Sequence, residues 1–133
     1  MPKLQDHILS SKRTGEIEFF IVERSEDCII SRMPVKKGIC NPFGTVQAGA
    51  ILWLADVTAT VLAIGKSEID ENGRGFPLAV DLHATLLRNQ RKGEFQAEAR
   101  FVRQGRRVSV VRTRITGNEG QLLAEVTTTH IPA

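Results

Sequence analysis

The segment NPFGTVQAGAILWLADVTATVLAIG, residues 41–65, decides the fold because it is the one long apolar stretch of the chain. Its opening NPFG is typical of a turn, and the apolar residues that follow predict a helix over 48–64 that ends at Gly65. These residues cover almost every face of the helix, which predicts burial on all sides in a larger structure. Asp56 is the only charged residue between Lys37 and Lys66.

Strand-like runs lie on both sides of this helix. EIEFFIVE (16–23) and DCIISRMPV (27–35) precede it. After it, apolar residues alternate over 78–87, and further runs follow over 95–101, 107–116 and 121–131, the last two joined by the hairpin turn GNEG. Because the connections after the helix are short, the late strands are expected to pair as an antiparallel meander. One apolar helix and five or six strands predict an α+β fold, in which a long antiparallel sheet wraps around the central helix.

The bulk properties describe one ordinary globular domain. With 133 residues the chain can form one hydrophobic core, so a single domain is expected over 1–133, with 1–15 poorly ordered or in a short helix. No apolar run follows Met1, so a secretory signal is not expected, and the aspartate in mid-helix argues against a membrane span. Cys28 and Cys40 make neither a disulfide scaffold nor a metal site, which favours a cytoplasmic protein.

Asp56 has two interpretations. A carboxylate in apolar surroundings costs several kcal/mol unless it is paired, hydrogen-bonded or hydrated. It either bonds a neighbouring backbone group, which is a structural role, or lies in a cleft where partial burial tunes its reactivity. The helix start near Ala48 offers N–H groups that favour negative charge, but Asp56 lies about 12 Å further along the axis. In a two-fold dimer, the helix start of one copy can meet Asp56 of the other and form a site for acyl transfer.

The same residues carry a family resemblance. The segment NPFGTVQAGAILWLAD resembles the signature of hotdog-fold acyl-CoA thioesterases of the phenylacetic-acid-degradation (PaaI-like) type, in which an Asn, a His-Gly-Gly triplet and an acidic residue follow one another. Asn41, the triplet of Gln47, Ala48 and Gly49, and Asp56 fall at those positions. Residues 79–116 and 119–131 are similar to the later strands of that family, so the resemblance covers the chain from Asn41 onward.

The resemblance implies a hotdog fold, a dimer or tetramer, and a reaction without metal or redox cofactor. Coenzyme A enters this reaction as part of the substrate and is not counted as a cofactor. Asp56 would be the catalytic carboxylate, as nucleophile or as base for a water, and the N–H of Ala48 would polarise the thioester carbonyl. Asn41 would position substrate or water, and Thr60 would hold the hydrolytic water. Two residues depart from the family pattern. Gln47 replaces a histidine and cannot titrate, whereas Ala48 replaces a glycine but keeps its backbone N–H.

A basic segment offers contacts for an anionic substrate. Between Arg88 and Arg114 nine Lys or Arg residues stand against two Glu, which indicates either a solvated sheet face or a polyanionic ligand. Coenzyme A carries a 3′-phosphate and a pyrophosphate, and the candidates for binding them are Arg88, Arg91, Lys92, Arg103, Arg106 and Arg107. Nucleic acid is not expected as a partner, because no aromatic residues interleave with the basic ones.

The function that these observations favour is hydrolysis of an aromatic or medium-chain acyl-CoA to the free acid and coenzyme A. The alternative from another class is a non-catalytic acyl-CoA-binding module, and the presence of Asp56 counts against it. A dehydratase or hydratase on the same fold is a third hypothesis, but the His/Asp or His/Glu pair that such enzymes use is not evident in this helix.

Overall fold

The computed structural model describes residues 4–10 and 14–133. These ranges contain the helices α1 (Leu4–Ser10) and α2 (Ala48–Ile64), a 3-10 turn (Lys37–Ile39) and six strands. The strands are β1 (Phe20–Arg24), β2 (Cys28–Pro34), β3 (Pro77–Leu86), β4 (Glu94–Gln104), β5 (Ser109–Thr116) and β6 (Leu122–Pro132). Helix α1 lies in the segment expected to be poorly ordered or helical, of which 1–3 and 11–13 are outside the described residues. That 1–133 form a single domain stays a prediction.

The strands of the described chain form one antiparallel sheet in the order β1-β2-β4-β5-β6-β3. Strands β4, β5 and β6 form the predicted meander, and Gly120, with φ of 77°, lies in the GNEG turn between the last two. The place predicted for β3 is wrong, because β3 pairs with β6 and not with its sequence neighbour β4. Both sides of β4 are taken by β2 and β5, so the connection over 87–93 crosses the sheet and leaves β3 as an edge strand.

Helix α2 lies on one face of this sheet and packs against β2 to β6. It begins after Gln47, whose backbone is extended (φ −60°, ψ 140°), and it ends at Gly65, whose φ of 50° favours glycine. Small sheet residues such as Ala97 and Ala99 lie under the helix and allow it to approach the strands closely. The helix residues that are buried in this contact are Ala50, Ile51, Leu54, Ala55, Thr58, Ala59 and Leu62.

Burial of α2 on all sides does not hold within one chain. The face opposite the sheet is only half-buried, and it includes Trp53, Asp56, Val57 and Thr60. The neighbouring edge strand β3 also carries exposed apolar side chains, at Leu78, Val80, Leu82 and Leu86. Exposed apolar side chains that lie together on one side of a domain are typical of an interaction site. None of the helices in the described ranges combines the length and the apolar character needed to span a bilayer.

Candidate active site

Asp56 lies at a cleft of about 470 Å³ between α2 and the start of β3. Its Oδ1 atom is buried and has no hydrogen-bond partner among the described residues. The rest of the cleft is apolar except for one hydroxyl, and it is lined by Val57, Thr60, Val61, Ile64, Phe76, Leu78 and Ala79. An unsatisfied buried polar group costs about 1–3 kcal/mol, and a charged one costs more. A structural role, in which a backbone group satisfies Asp56, therefore leaves Oδ1 unexplained.

Thr60 lies one helical turn after Asp56 and lines the same cleft. Residues four apart share a helix face, so the two side chains are neighbours. A hydroxyl can both donate and accept a hydrogen bond, and it can therefore hold a water beside a carboxylate. The structure brings these two predicted residues together, while the water-holding role of Thr60 stays a prediction.

A buried histidine lies beside the wall of this cleft. His130 on β6 is 1% exposed and pairs with Ala79 across the strands. Its Nε2 is 2.8 Å from Thr128 Oγ1, and its Nδ1 is 3.5 Å from the Pro77 carbonyl oxygen. Burial lowers the pKa of His130, and the Pro77 carbonyl and the charge of Asp56 oppose that shift. The imidazole is therefore favoured in its neutral form at this position.

The start of α2 presents free N–H groups. Ala48 and Gly49 are exposed, and neither backbone N–H donates a hydrogen bond within the described residues. Gln47 occupies the N-cap position without a capping bond from its side chain, so these donors stay open. A Cβ atom at Gly49 would meet no atom within 4 Å, so packing within the chain does not require a glycine there. Open N–H groups at a helix N-terminus attract negative charge, which suits an oxyanion.

Asn41 shapes the loop that leads into the helix. Its Oδ1 accepts hydrogen bonds from the N–H groups of Phe43 (2.9 Å) and Thr45 (3.1 Å), and its Nδ2 donates to Thr45 Oγ1 (2.7 Å). These contacts form an Asx turn, and the second N–H of the amide has no partner in the part of the chain that the structure describes. Asn41 thus holds the loop in place, and its predicted contact with substrate or water depends on the remaining N–H.

One chain keeps the predicted catalytic residues in two groups. Asn41, Gln47, Ala48 and Gly49 lie at the start of α2, whereas Asp56 and its cleft lie about 12 Å further along the helix axis. The two groups also lie towards opposite ends of β3, because the cleft contacts its first residues while the loop before the helix contacts the connection after its last residue. The oxyanion donor and the carboxylate of one chain therefore cannot act on the same thioester.

The six basic residues predicted to bind coenzyme A are exposed but are divided in a similar way. Arg88, Arg91 and Lys92 follow β3, near the start of α2, while Arg103, Arg106 and Arg107 lie at and after the end of β4. Because β4 has 11 residues, the two groups are roughly 33 Å apart. Arg91 also donates a hydrogen bond to the Phe43 carbonyl. A single chain therefore does not gather the six around one ligand.

The sequence did not predict the contact that fixes the helix entry. Asn89 accepts a hydrogen bond from the N–H of Val46 (3.1 Å) and donates one to the Val46 carbonyl (2.8 Å), although 43 residues separate them. No local pattern around Asn89 predicts such a contact, because the signal for it exists only in three dimensions. The Gln47 side chain makes no capping hydrogen bond, which indicates that the helix start is held by residues from another part of the chain.

Comparison with known proteins assigns the family. Residues 43–124, more than half of the chain, match the sequence profile of the Thioesterase superfamily. The chain belongs to the thioesterase superfamily. A protein of Haemophilus influenzae, provisionally described as an esterase, is 27% identical over 117 residues, which are 88% of this chain and 82% of that protein.

Solved structures of thioesterases share the fold. A thioesterase from Haemophilus influenzae has a TM-score of 0.75 and 26% identity, with 85% of this chain and 76% of that chain covered. A hypothetical thioesterase from Streptococcus pneumoniae, solved with coenzyme A, has a TM-score of 0.77 and 18% identity, with 87% of this chain and 86% of that chain covered. The α+β hotdog fold and, at the level of the family, a thioester hydrolase are therefore confirmed. The PaaI-like subtype and the roles of individual residues stay predictions.

Proposed function

We propose that the protein hydrolyses an aromatic or medium-chain acyl-CoA to the free acid and coenzyme A, in the cytoplasm and without a cofactor. The observation that supports this most directly is the unpartnered, buried Oδ1 of Asp56 in an apolar cleft that also contains Thr60. Apolar walls suit an acyl group, and a volume of about 470 Å³ is within the usual range of small-molecule sites. Coenzyme A is bound in the thioesterase of Streptococcus pneumoniae that has the same fold.

A second copy of the chain would complete the site. Within the described residues, strand β3 pairs on one side only, and its other edge offers free backbone groups beside exposed apolar side chains. Antiparallel pairing of β3 with its two-fold mate would place the end of one β3 beside the start of the other. The helix start of one copy would then approach the Asp56 cleft of the other, because these features lie towards opposite ends of β3. The working unit is thus a homodimer, or a tetramer made from two such dimers.

The same symmetry would bring the two basic groups together. The connection that carries Arg88, Arg91 and Lys92 lies at one end of the sheet, and the turn with Arg106 and Arg107 lies at the other. Two-fold pairing through β3 would place the first group of one copy at the same end as the second group of its mate. Both could then contact the phosphates of one coenzyme A, since none of the six forms a salt bridge with a carboxylate within the described residues.

The reaction needs a nucleophile, an oxyanion site and a leaving thiol. In the general-base route, the Asp56 carboxylate takes a proton from a water held by Thr60, and the hydroxyl oxygen bonds to the thioester carbon. In the nucleophilic route, a carboxylate oxygen bonds to that carbon first, the C–S bond breaks as the thiolate leaves, and water then hydrolyses the anhydride that this step forms. In either route the negative charge on the former carbonyl oxygen is stabilised by the N–H of Ala48 from the other copy. Collapse breaks the C–S bond, and the coenzyme A thiolate leaves and takes up a proton.

The test is thiol release from a panel of aromatic and aliphatic acyl-CoAs by the wild type and by Asp56→Asn. The amide has nearly the shape of the carboxylate, so the variant should fold, but it lacks the basic and nucleophilic oxygen. We expect its turnover to be lower by at least about two orders of magnitude. Acyl-CoA binding without turnover in either protein would refute the enzyme and support the non-catalytic binding module. The best substrate in the panel would identify the acyl class.

A further inference from the structure

The loop that precedes α2 is held at both ends by its own backbone. The N–H of Gln47 donates to the Ile39 carbonyl (2.7 Å), the N–H of Asn41 donates to the Thr45 carbonyl (2.7 Å), and Cys40 and Val46 form an antiparallel bridge. Residues 39–47 therefore form a short hairpin, and the last residue of this hairpin is the one before Ala48. The orientation of the Ala48 N–H depends on the position of this strand end, because the peptide plane between 47 and 48 carries that N–H.

The outer side of the hairpin is paired by a side chain in place of a strand. The amide of Asn89 accepts from the Val46 N–H (3.1 Å) and donates to the Val46 carbonyl (2.8 Å). A primary amide presents one acceptor and one donor in the same geometry as a peptide group, so Asn89 replaces one residue of a neighbouring strand. The Val46 side chain is only 1% exposed, so both the side chain and the backbone of this residue are fixed.

Asn89 is itself held rigidly. The backbone N–H groups of Leu87 and Arg88 both donate to the Leu123 carbonyl, at 2.8 and 3.0 Å, which anchors the connection to β6. The N–H of Gln90 donates to Asn89 Oδ1 (2.8 Å), which fixes the direction of the amide. The clamp on Val46 thus connects the helix entry to the core of the sheet.

On this basis, and resting on the proposed function, we infer that Asn89 is a positioning residue for the oxyanion site: it aims the N–H of Ala48 by clamping Val46 through both of its backbone groups. Catalytic hydrogen bonds need their geometry held within a fraction of an ångström, and a misplacement of about 1 Å can lower the rate about 100-fold. Asn89 acts through Val46 and need not contact the substrate.

The first test compares Asn89→Ala with Gln90→Ala as the matched control. Gln90 lies in the same connection and its side chain bonds Glu94 and Asn118, but not Val46. Asn89→Ala should lower kcat about 10- to 100-fold, with KM changed by less than about threefold, because the ground state does not depend on the oxyanion contact. Gln90→Ala should keep the wild-type kcat. Equal kcat values for Asn89→Ala and the wild type would overturn the inference.

Two further readouts separate positioning from a general loss of structure. Amide hydrogen exchange at Val46 should become faster in Asn89→Ala and stay slow in Gln90→Ala, and slow exchange in both would overturn the clamp. Asn89→Asp keeps the shape of the amide, and only its protonated form can both donate to and accept from Val46. The ratio of its kcat to that of the wild type should therefore rise as pH falls towards the usual range of a carboxyl pKa. A ratio that does not change with pH would count against the role.

The outcomes also distinguish the inference from the proposed function. If the wild type releases no thiol from any acyl-CoA, the proposed function fails, and the role of Asn89 in that reaction fails with it. If the wild type turns over and Asp56→Asn does not, but Asn89→Ala keeps the full kcat, then only the role of Asn89 is refuted.

Discussion

Replacement of Ala48 by proline removes the proposed oxyanion donor, the backbone N–H, and little else. Loss of one such donor typically lowers kcat about 10²- to 10³-fold. We expect a decrease of this size in Ala48→Pro, because the Gln47 side chain makes no capping bond that would hold its amide in place of the lost N–H. The open N–H of Gly49 remains, but it lies one residue, about 1.5 Å, further along the helix axis.

The structure predicts that this substitution leaves the fold intact. Ala48 is the first residue of α2, a position at which proline is favoured because the N–H has no partner within the helix. Gln47 has ψ of 140°, which is the conformation that a residue before proline prefers. Since the Ala48 N–H donates no hydrogen bond within the described residues, the free energy of unfolding should change by less than about 1 kcal/mol.

The assay is thiol release at saturating acyl-CoA, with thermal unfolding of the same preparation as the measure of stability. Ala48→Ser serves as the comparator, because it alters the exposed side chain and keeps the N–H. Its kcat should exceed that of Ala48→Pro at least about tenfold. Two results would refute the reasoning: Ala48→Pro with a kcat close to that of Ala48→Ser, or Ala48→Pro with a melting temperature so low that the loss of kcat reports unfolding.

Three further predictions concern the interface, the core and pH. Val80→Lys on the edge strand β3 should give monomers in sedimentation and lose activity with them. Val22→Lys on the opposite edge strand β1 should leave the oligomeric state and the activity unchanged. If neither variant is monomeric, the result counts against pairing through β3. Thr58→Val should lower the free energy of unfolding by about 1–3 kcal/mol, because the hydroxyl of Ser31, 2.6 Å from the Thr58 hydroxyl, loses its acceptor. Adding Ser31→Ala should recover part of that loss in denaturant titrations. If the losses of the two single variants simply add in the double variant, this account is contradicted. Because burial lowers the pKa of His130, the unfolded chain binds the proton first as pH falls below about 6.5, and stability should be lost between that pH and the lower pKa of the folded state. In His130→Gln the free energy of unfolding should therefore depend less steeply on pH over that window. An equal slope would rule out His130 as the source.

The helix, most of the strands and the hairpin could be predicted because each depends on a local pattern. Gly65 ends α2 through its own backbone conformation, and the strand-like run over 121–131 coincides with β6. The pairing of β3 could not be predicted in this way, because it depends on which strand still has a free edge. The half-buried face of α2 is a similar case, since Val57 is apolar whether it contacts the same chain or a second copy.

For the site, the sequence predicted which residues lie together on one helix face but not the distances between elements. Asp56 and Thr60 are close because four residues make about one helical turn. Arg88 and Arg107 are near each other in sequence, yet the length of β4 separates them in the structure. Asn89 shows the limit most clearly, since its contact with Val46 depends on two loops that meet only after the sheet has formed.

The central claim is that Asp56 of one copy and the Ala48 N–H of another act on the same thioester, and co-expression of Asp56→Asn with Ala48→Pro tests it directly. Each variant alone should be nearly inactive. A mixed dimer pairs the intact Asp56 of one chain with the intact N–H of the other at one of its two sites, so random mixing of equal amounts should restore about one quarter of wild-type activity. Mixed dimers with no more activity than either parent would contradict a shared site.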